Sequence, residues 1–204
     1  RGVGGLRLTG GGLSGSIPSS IVSQDGLTIS FWARNVSDGA ILLSLGEMVS
    51  VAVRLTEQLS STRILELLRP EEPLSEPSSS SHFTLDSPAQ DWLWFSFKID
   101  RMLTAAQLNV FSRSGEPLGR ASIQLGDSCF DKSNEATLEL QLFSPTSSST
   151  NKTAFISSPE KNSAAFLAAS AVVDVSFILI HKIAIDADDI VAIRKEAARY
   201  NIDA

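Results

Sequence analysis

The segment 92–100 constrains the fold of this chain more than any other. Its large apolar side chains occupy every second position and share one face, which carries Leu93, Phe95, Phe97 and Ile99. Because strand side chains project with a period of two, the opposite face carries Trp92, Trp94, Ser96 and Lys98. The pattern predicts a strand with one face in a hydrophobic core and aromatic and polar groups together on the other.

Size and composition fit a single globular domain. The chain has 204 residues, of which 43% are hydrophobic and 20% are charged, and all-β sandwiches of this length commonly form one unit. The formal net charge is −6, and the sequence lacks the cluster of Lys and Arg that phosphate binding requires. We expect one domain over residues 1–204 and no nucleic-acid partner.

Other strand patterns follow along most of the chain. They cover segments 5–9, 27–34, 40–45, 49–55, 63–68, 107–111, 120–125 and 137–143. Two segments interrupt them: 70–81 is rich in Pro and Ser, and 144–163 is rich in Ser, Thr and Asn. Because neither can bury enough apolar surface to offset the entropy of ordering, both are predicted to be loop insertions within the domain.

One helix is predicted near the end of the chain, over residues 186–199. Asp186 has the character of an N-cap residue, with Asp189 three positions later, and an apolar stripe follows at Ile190, Ile193 and Ala197. This helix would close the domain after its last strand.

The apolar stretch 164–185 is the one membrane candidate. It contains Asp174, His181 and Lys182, each of which is costly inside a bilayer, and its Val, Ile and Phe residues favour buried strands. We expect no membrane insertion. The chain begins at Arg1 without a signal-like region, so we expect it to be part of a larger protein with other domains.

The residues that usually carry catalysis or bind metals are few and scattered. The only cysteine is Cys129 and the only histidines are His82 and His181; they have neither metal-site spacing nor a Gly-x-Ser-x-Gly partner. Glu66 and Glu139 are single acids in strand patterns, unlike the paired carboxylates of a glycosidase. We predict that the protein is not an enzyme and uses no cofactor.

Four segments carry a family resemblance. They are 6–10 leading to Ile17 and Pro18, the tryptophan-bearing 27–34, the tryptophan-led 92–100, and 183–190 with its acidic start. In order and spacing they resemble the laminin G-like jelly-roll branch of the concanavalin A-like lectin/glucanase superfamily. The resemblance implies an all-β, antiparallel jelly-roll β-sandwich with one short C-terminal helix. It also implies a non-catalytic, lectin-like module that binds carbohydrate or mediates adhesion.

The chain departs from this family at the positions of a calcium site. Many relatives have an acidic pair where this chain has Ser176 and Phe177, and Asp174 lies two positions too early. Relatives also often have Asp or His at positions occupied here by Thr9, Leu93 and Trp94. No calcium ligand is therefore carried over from the resemblance, although calcium itself is not excluded.

A ligand site is predicted on the non-core faces of segments 27–34 and 92–100. Trp94 and Trp32 are candidates to stack on the apolar faces of sugar rings, with Lys98 and Arg34 binding hydroxyl groups. In the alternative, both indoles are covered by another sheet, a loop insertion or the C-terminal helix. The chain would then be a protein-interaction or structural module without sugar binding.

Two triplets match the acceptor pattern for N-glycosylation, Asn35-Val36-Ser37 and Asn151-Lys152-Thr153. They favour an extracellular or cell-surface location, and the alternative is an intracellular domain of a large multidomain protein. The expected partner is a glycan or another protein.

Overall fold

Two antiparallel sheets of six strands each make up most of the structure. The computed structural model describes residues 6–9, 12–36, 40–46, 48–55, 62–69, 80–131, 137–145 and 172–199. In spatial order, the first sheet contains β1 (Leu6–Thr9), β12 (Val172–His181), β3 (Leu27–Arg34), β8 (Leu93–Asp100), β9 (Ala105–Phe111) and β10 (Pro117–Gln124). The second sheet contains β2 (Leu13–Pro18), β11 (Thr137–Pro145), β4 (Ala40–Leu45), β5 (Val49–Leu55), β6 (Thr62–Leu68) and β7 (Ser80–Asp86). The predicted all-β antiparallel sandwich is confirmed.

The main core lies between the two sheets. The predicted inner face of β8 is buried throughout, at Leu93, Phe95, Phe97 and Ile99. Phe31 of β3 stacks on Phe95, with ring centroids 5.4 Å apart, and meets Phe143 of β11 edge-on at 5.0 Å. Phe31 and Phe95 belong to the first sheet and Phe143 to the second, so this aromatic contact joins the two sheets. Each fully buried apolar side chain contributes about 1.5–3 kcal/mol to the stability of the fold.

Three helices lie among the described residues: α1 (Ser19–Gln24), α2 (Ser128–Asp131) and α3 (Ala187–Arg199). The predicted C-terminal helix is α3, and the Asp186 carbonyl accepts a hydrogen bond from the Ile190 N–H at 3.0 Å, as expected for an N-cap residue. The sequence patterns did not predict α1 and α2. Both are only one to two turns long, too short to show helical periodicity.

The two predicted loop insertions fall mainly outside the described residues. At their described ends, Ser80 and Ser81 belong to β7, and Ser144 and Pro145 belong to β11. Within the apolar stretch 164–185, residues 172–181 form β12. Among the residues that the structure describes, no helix has the length and apolar character needed to cross a membrane.

The sheets also meet along β7 and β10. The Ser122 N–H of β10 donates to Ser81 Oγ at 3.2 Å. Gly119 lies where the β9–β10 register shifts, and a side-chain carbon there would overlap the Phe83 ring of β7. The absence of a side chain at Gly119 therefore allows this close approach of the two sheets.

We predict that Gly119→Ala lowers the free energy of unfolding by about 1–3 kcal/mol, the usual cost of overpacking. The matched control is Gly15→Ala in β2, where an added Cβ would have no atom within 4 Å. The control should change stability by less than about 1 kcal/mol. Urea unfolding of both variants measures the difference, and equal effects would contradict the proposed packing at β7 and β10.

Candidate functional site

The outer face of the first sheet carries a second hydrophobic cluster. Trp32 of β3 and Trp94 of β8 lie directly opposite each other, with ring centroids 5.2 Å apart in an edge-to-face arrangement. Both are 0% exposed, and Trp92 and Ala197 of α3 complete the buried set. The Nε1 atoms of the three tryptophans have no hydrogen-bond partner among the described residues. Apolar packing therefore holds this cluster together.

Helix α3 covers this face and is held there by hydrogen bonds just before its start and in its second half. Before the helix, Thr28 Oγ1 donates to the Ile183 carbonyl at 2.9 Å and accepts from the Ile185 N–H at 3.0 Å. In its second half, Arg194 Nη1 donates to the Arg113 carbonyl, in the turn between β9 and β10, at 3.1 Å. The helix thus crosses the tryptophans from one end of the sheet to the other.

This arrangement corresponds to the packing alternative for the two indoles. While α3 is in place, neither Trp32 nor Trp94 presents a ring face to a ligand. Lys98 lies opposite Thr28, and its Nζ is 3.5 Å from Asp100 Oδ2. Arg34 is six residues further along β3 than Thr28, or about 20 Å at the rise of a strand. The four predicted ligand-binding residues therefore do not form one site.

Arg34 belongs instead to a polar cluster centred on Asp174. The Asp174 carboxylate accepts four hydrogen bonds, from Arg7 Nε (2.7 Å) and Nη2 (2.9 Å), Arg34 Nε (3.0 Å) and Asn35 Nδ2 (2.9 Å). The strand register explains the contacts, because Asp174 of β12 lies opposite both Arg7 of β1 and Arg34 of β3. We call Arg7, Arg34, Asn35, Trp92 and Asp174 the Arg34 cluster.

Asn35 enters the cluster through its backbone conformation. Its φ is 55°, in the left-handed region that Asn tolerates better than most residues. Its N–H donates to the Ala89 carbonyl at 2.6 Å. The turn after β3 is thereby fixed against the segment that leads into Trp92.

A buried arginine, Arg63, binds the segment that leads into Trp92. Arg63 of β6 donates from Nη2 to the carbonyls of Ser87, at 2.7 Å, and Pro88, at 3.3 Å. Burial lowers the pKa of the Arg63 guanidinium, and the charge of Asp91 opposes the shift. Arg63 thus acts as a support for the loop beside the Arg34 cluster.

The electrostatics of the cluster favour an ionised Asp174. Hydrogen bonds from Arg7 first, and then from Arg34 and Asn35, outweigh burial and lower the pKa of Asp174 to about 2. The same contact raises the pKa of Arg7. With two guanidinium groups and one carboxylate, the cluster carries one excess positive charge in a chain whose net charge is −6.

The Arg34 guanidinium is held by two contacts. Its Cζ lies 4.7 Å from the centroid of the Trp92 ring, a cation–π contact, while its Nε is bound to Asp174. Its Nη1 and Nη2 donate to no group among the described residues, and 29% of its side chain is exposed. The Arg7 side chain is 61% exposed. The cluster therefore offers fixed N–H donors to an external acceptor.

The sequence identified one polar member of this cluster and missed the others. Arg34 follows from the alternation of segment 27–34, whereas the roles of Arg7 and Asn35 depend on which strands are neighbours. In the sequence, Asp174 stands out only as a charge within the apolar stretch 164–185 and as an acid out of place for a calcium pair. Among the residues that the structure describes, no group of three or more His, Cys, Asp or Glu side chains could hold a metal ion.

Comparison with known proteins places the fold but not a family. No protein-family model and no curated protein sequence matches the chain. The receptor-binding domain of botulinum neurotoxin C/D mosaic serotype superposes with a TM-score of 0.53 at 9% identity, over 95% of this chain and 42% of that chain. Another solved receptor-binding domain gives 0.51 at 10% identity, over 95% and 45%. The chain spans less than half of each neighbour, and these identities show a shared β-sandwich fold alone.

We predict that Asp174→Asn lowers the free energy of unfolding by about 2 kcal/mol near pH 7, because the depressed pKa of Asp174 stabilises the folded state. A carboxylate whose pKa is lowered by folding stabilises the folded state fully only at a pH above its pKa in the unfolded chain. This stabilisation is lost as the pH falls through its pKa in the folded state. The gap between wild type and variant should close between about pH 4 and pH 2. Denaturant unfolding across this range tests it, and a gap independent of pH would contradict the assignment.

We predict that Ala197→Leu destabilises the fold by about 1–3 kcal/mol, because added methyl groups overpack the cluster with Trp32 and Trp94. Ala192→Leu places the same side chain on the exposed side of α3 and should change stability by less than about 0.5 kcal/mol. Thermal unfolding monitored by tryptophan fluorescence compares them. Similar melting temperatures for the two variants would show that α3 does not pack on this face.

Proposed function

We propose that this chain is a non-catalytic, lectin-like binding module of a larger protein, with the Arg34 cluster as its ligand-binding site. The observation that carries the proposal is the fixed guanidinium of Arg34. Its Nε donates to Asp174, its Cζ lies over the Trp92 ring, and its terminal nitrogens have no partner among the described residues. Pre-oriented donors of this kind suit the hydroxyl and acidic oxygens of a glycan.

The chemistry of the cluster supports binding over catalysis. Its only acid, Asp174, has a pKa of about 2 and already accepts four hydrogen bonds. Such a carboxylate neither donates a proton near neutral pH nor acts as an effective base. The solved neighbours are named receptor-binding domains, which agrees with a binding role here.

The place of the cluster in the fold also supports the proposal. Arg34 ends β3, Trp92 precedes β8, and the turn between β9 and β10 lies at the same end of the first sheet. Loops at one end of a rigid sandwich are a common location for binding residues. We therefore assign ligand contact to Arg34 and Arg7, and a supporting role to Trp32 and Trp94 unless α3 moves away. Lys98, at the opposite end of the strand pair, lies outside the proposed site.

The family and location follow as parts of the same proposal. Two antiparallel six-stranded sheets support membership of the concanavalin A-like superfamily, in its laminin G-like branch. Glycan binding outside the cell or at its surface would agree with the N-glycosylation triplet at Asn151. The triplet at Asn35 does not support this location, because Asn35 donates its Nδ2 to Asp174 and a glycan attached there would occupy the proposed binding site. Asn151, in the second triplet, lies outside the described residues.

The test is a broad glycan array probed with the purified chain, its Arg34→Ala variant and a matched control. The control is Arg120→Ala, which removes an exposed arginine from β10, three strands away from β3. We predict that the wild type and the control bind the same glycan group, and that Arg34→Ala weakens this binding by about tenfold or more, the effect of losing a charged hydrogen bond.

Circular dichroism of all three proteins checks that they are folded. Unchanged glycan binding by a folded Arg34→Ala variant would remove the Arg34 cluster from the site. Absence of binding to every glycan by the wild type would overturn the lectin role and favour the protein-interaction alternative.

A further inference from the structure

We infer that the Arg34 cluster selects acidic glycans, by binding the oxyanion of a carboxylated or sulfated sugar on the Nη1–Nη2 edge of Arg34. The inference rests on the proposed function and adds the chemical class of the ligand.

The first argument is the geometry of the Arg34 donors. A guanidinium has five N–H groups in a planar fork, and Arg34 uses its Nε on Asp174. The edge formed by Nη1 and Nη2 has no partner among the described residues. This edge presents two parallel N–H donors, which match two oxygens of one carboxylate or sulfate group better than a single hydroxyl group.

The second argument is pre-organisation. The hydrogen bond to Asp174 and the contact with Trp92, 4.7 Å from the guanidinium carbon to the ring centroid, hold the Arg34 guanidinium in position at two points. Trp92 is itself only 8% exposed and belongs to the buried tryptophan cluster. A ligand therefore meets donors whose conformational entropy was lost on folding, which strengthens binding to a planar, bidentate partner.

The third argument is local charge. Arg7 and Arg34 donate to the same atom, Asp174 Oδ2, so two positive groups lie together and one carboxylate compensates only one of them. Arg7 Nη1 also has no partner among the described residues, and the Arg7 side chain is the more exposed of the two. The excess charge favours an anion at this point, although the chain as a whole is acidic.

The experiment uses pairs of glycans that differ only in charge. Oligosaccharides with uronic or sialic acids are compared with their methyl esters, and sulfated oligosaccharides with their desulfated forms, on the array and then by calorimetry in solution. The proteins are the wild type, Arg34→Lys, Arg34→Ala and the control Arg120→Lys. Arg34→Lys keeps the charge but removes the two-donor edge.

We expect the wild type and Arg120→Lys to prefer the charged member of a pair by about tenfold to a hundredfold, the range for a charged hydrogen-bond pair. Arg34→Ala should lose this preference, and Arg34→Lys should lose most of it. The preference should also fall as salt rises. Preference confined to carboxylated pairs or to sulfated pairs identifies which oxyanion the site takes.

Three results would overturn the inference, and they differ in what they leave of the proposed function. Equal binding of charged and neutral members by the wild type would reject the anion site while leaving a lectin. Failure of the wild type to bind any glycan would reject both. A charge preference that survives in a folded Arg34→Ala variant would place the anion elsewhere on the chain.

Discussion

The pairing of β3 with β8 is the constraint on which the rest of the structure depends. These strands lie in the middle of the first sheet and pair over seven consecutive positions. Both of their faces are buried: Phe31 and Phe95 meet inside the sandwich, and Trp32 and Trp94 meet outside it. A sheet with two apolar faces requires a layer on each side, and the second sheet and α3 are those layers.

Much of this architecture could be predicted from residue patterns because it is local. The alternation in segment 92–100 predicted the inner face of β8, and the stripe at Ile190, Ile193 and Ala197 predicted α3. The surface on which α3 packs could not be predicted, since an amphipathic helix can pack on any apolar face that remains uncovered. For this reason, the sequence left open whether Trp32 and Trp94 bind a ligand or form a core.

Prediction of the Arg34 cluster would have required knowing which distant strands are neighbours in the sheet. Arg7 and Asp174 are 167 residues apart in the chain, and only the register of β1 against β12 brings them together. The pairing of β12 with β3 in addition shifts its register between Ser176 and Leu179, where Phe177 has a φ of 55°. Patterns of alternation in the sequence cannot locate such a bulge. Unless its position is known, the sequence does not determine which face of the sheet Asp174 lies on.

The order of the strands has a consequence for folding during synthesis. The strand that separates β1 from β3 is β12, the last strand among the described residues, and the layer over the tryptophans is α3, which follows it. A chain that leaves the ribosome from its N-terminus therefore has an unpaired edge on β3, and the indoles of Trp32 and Trp94 in water, until both elements have emerged. In the cell, the period in which this face is open to chaperones, or to another unfolded chain, is set by the time needed to translate the segment between β11 and α3.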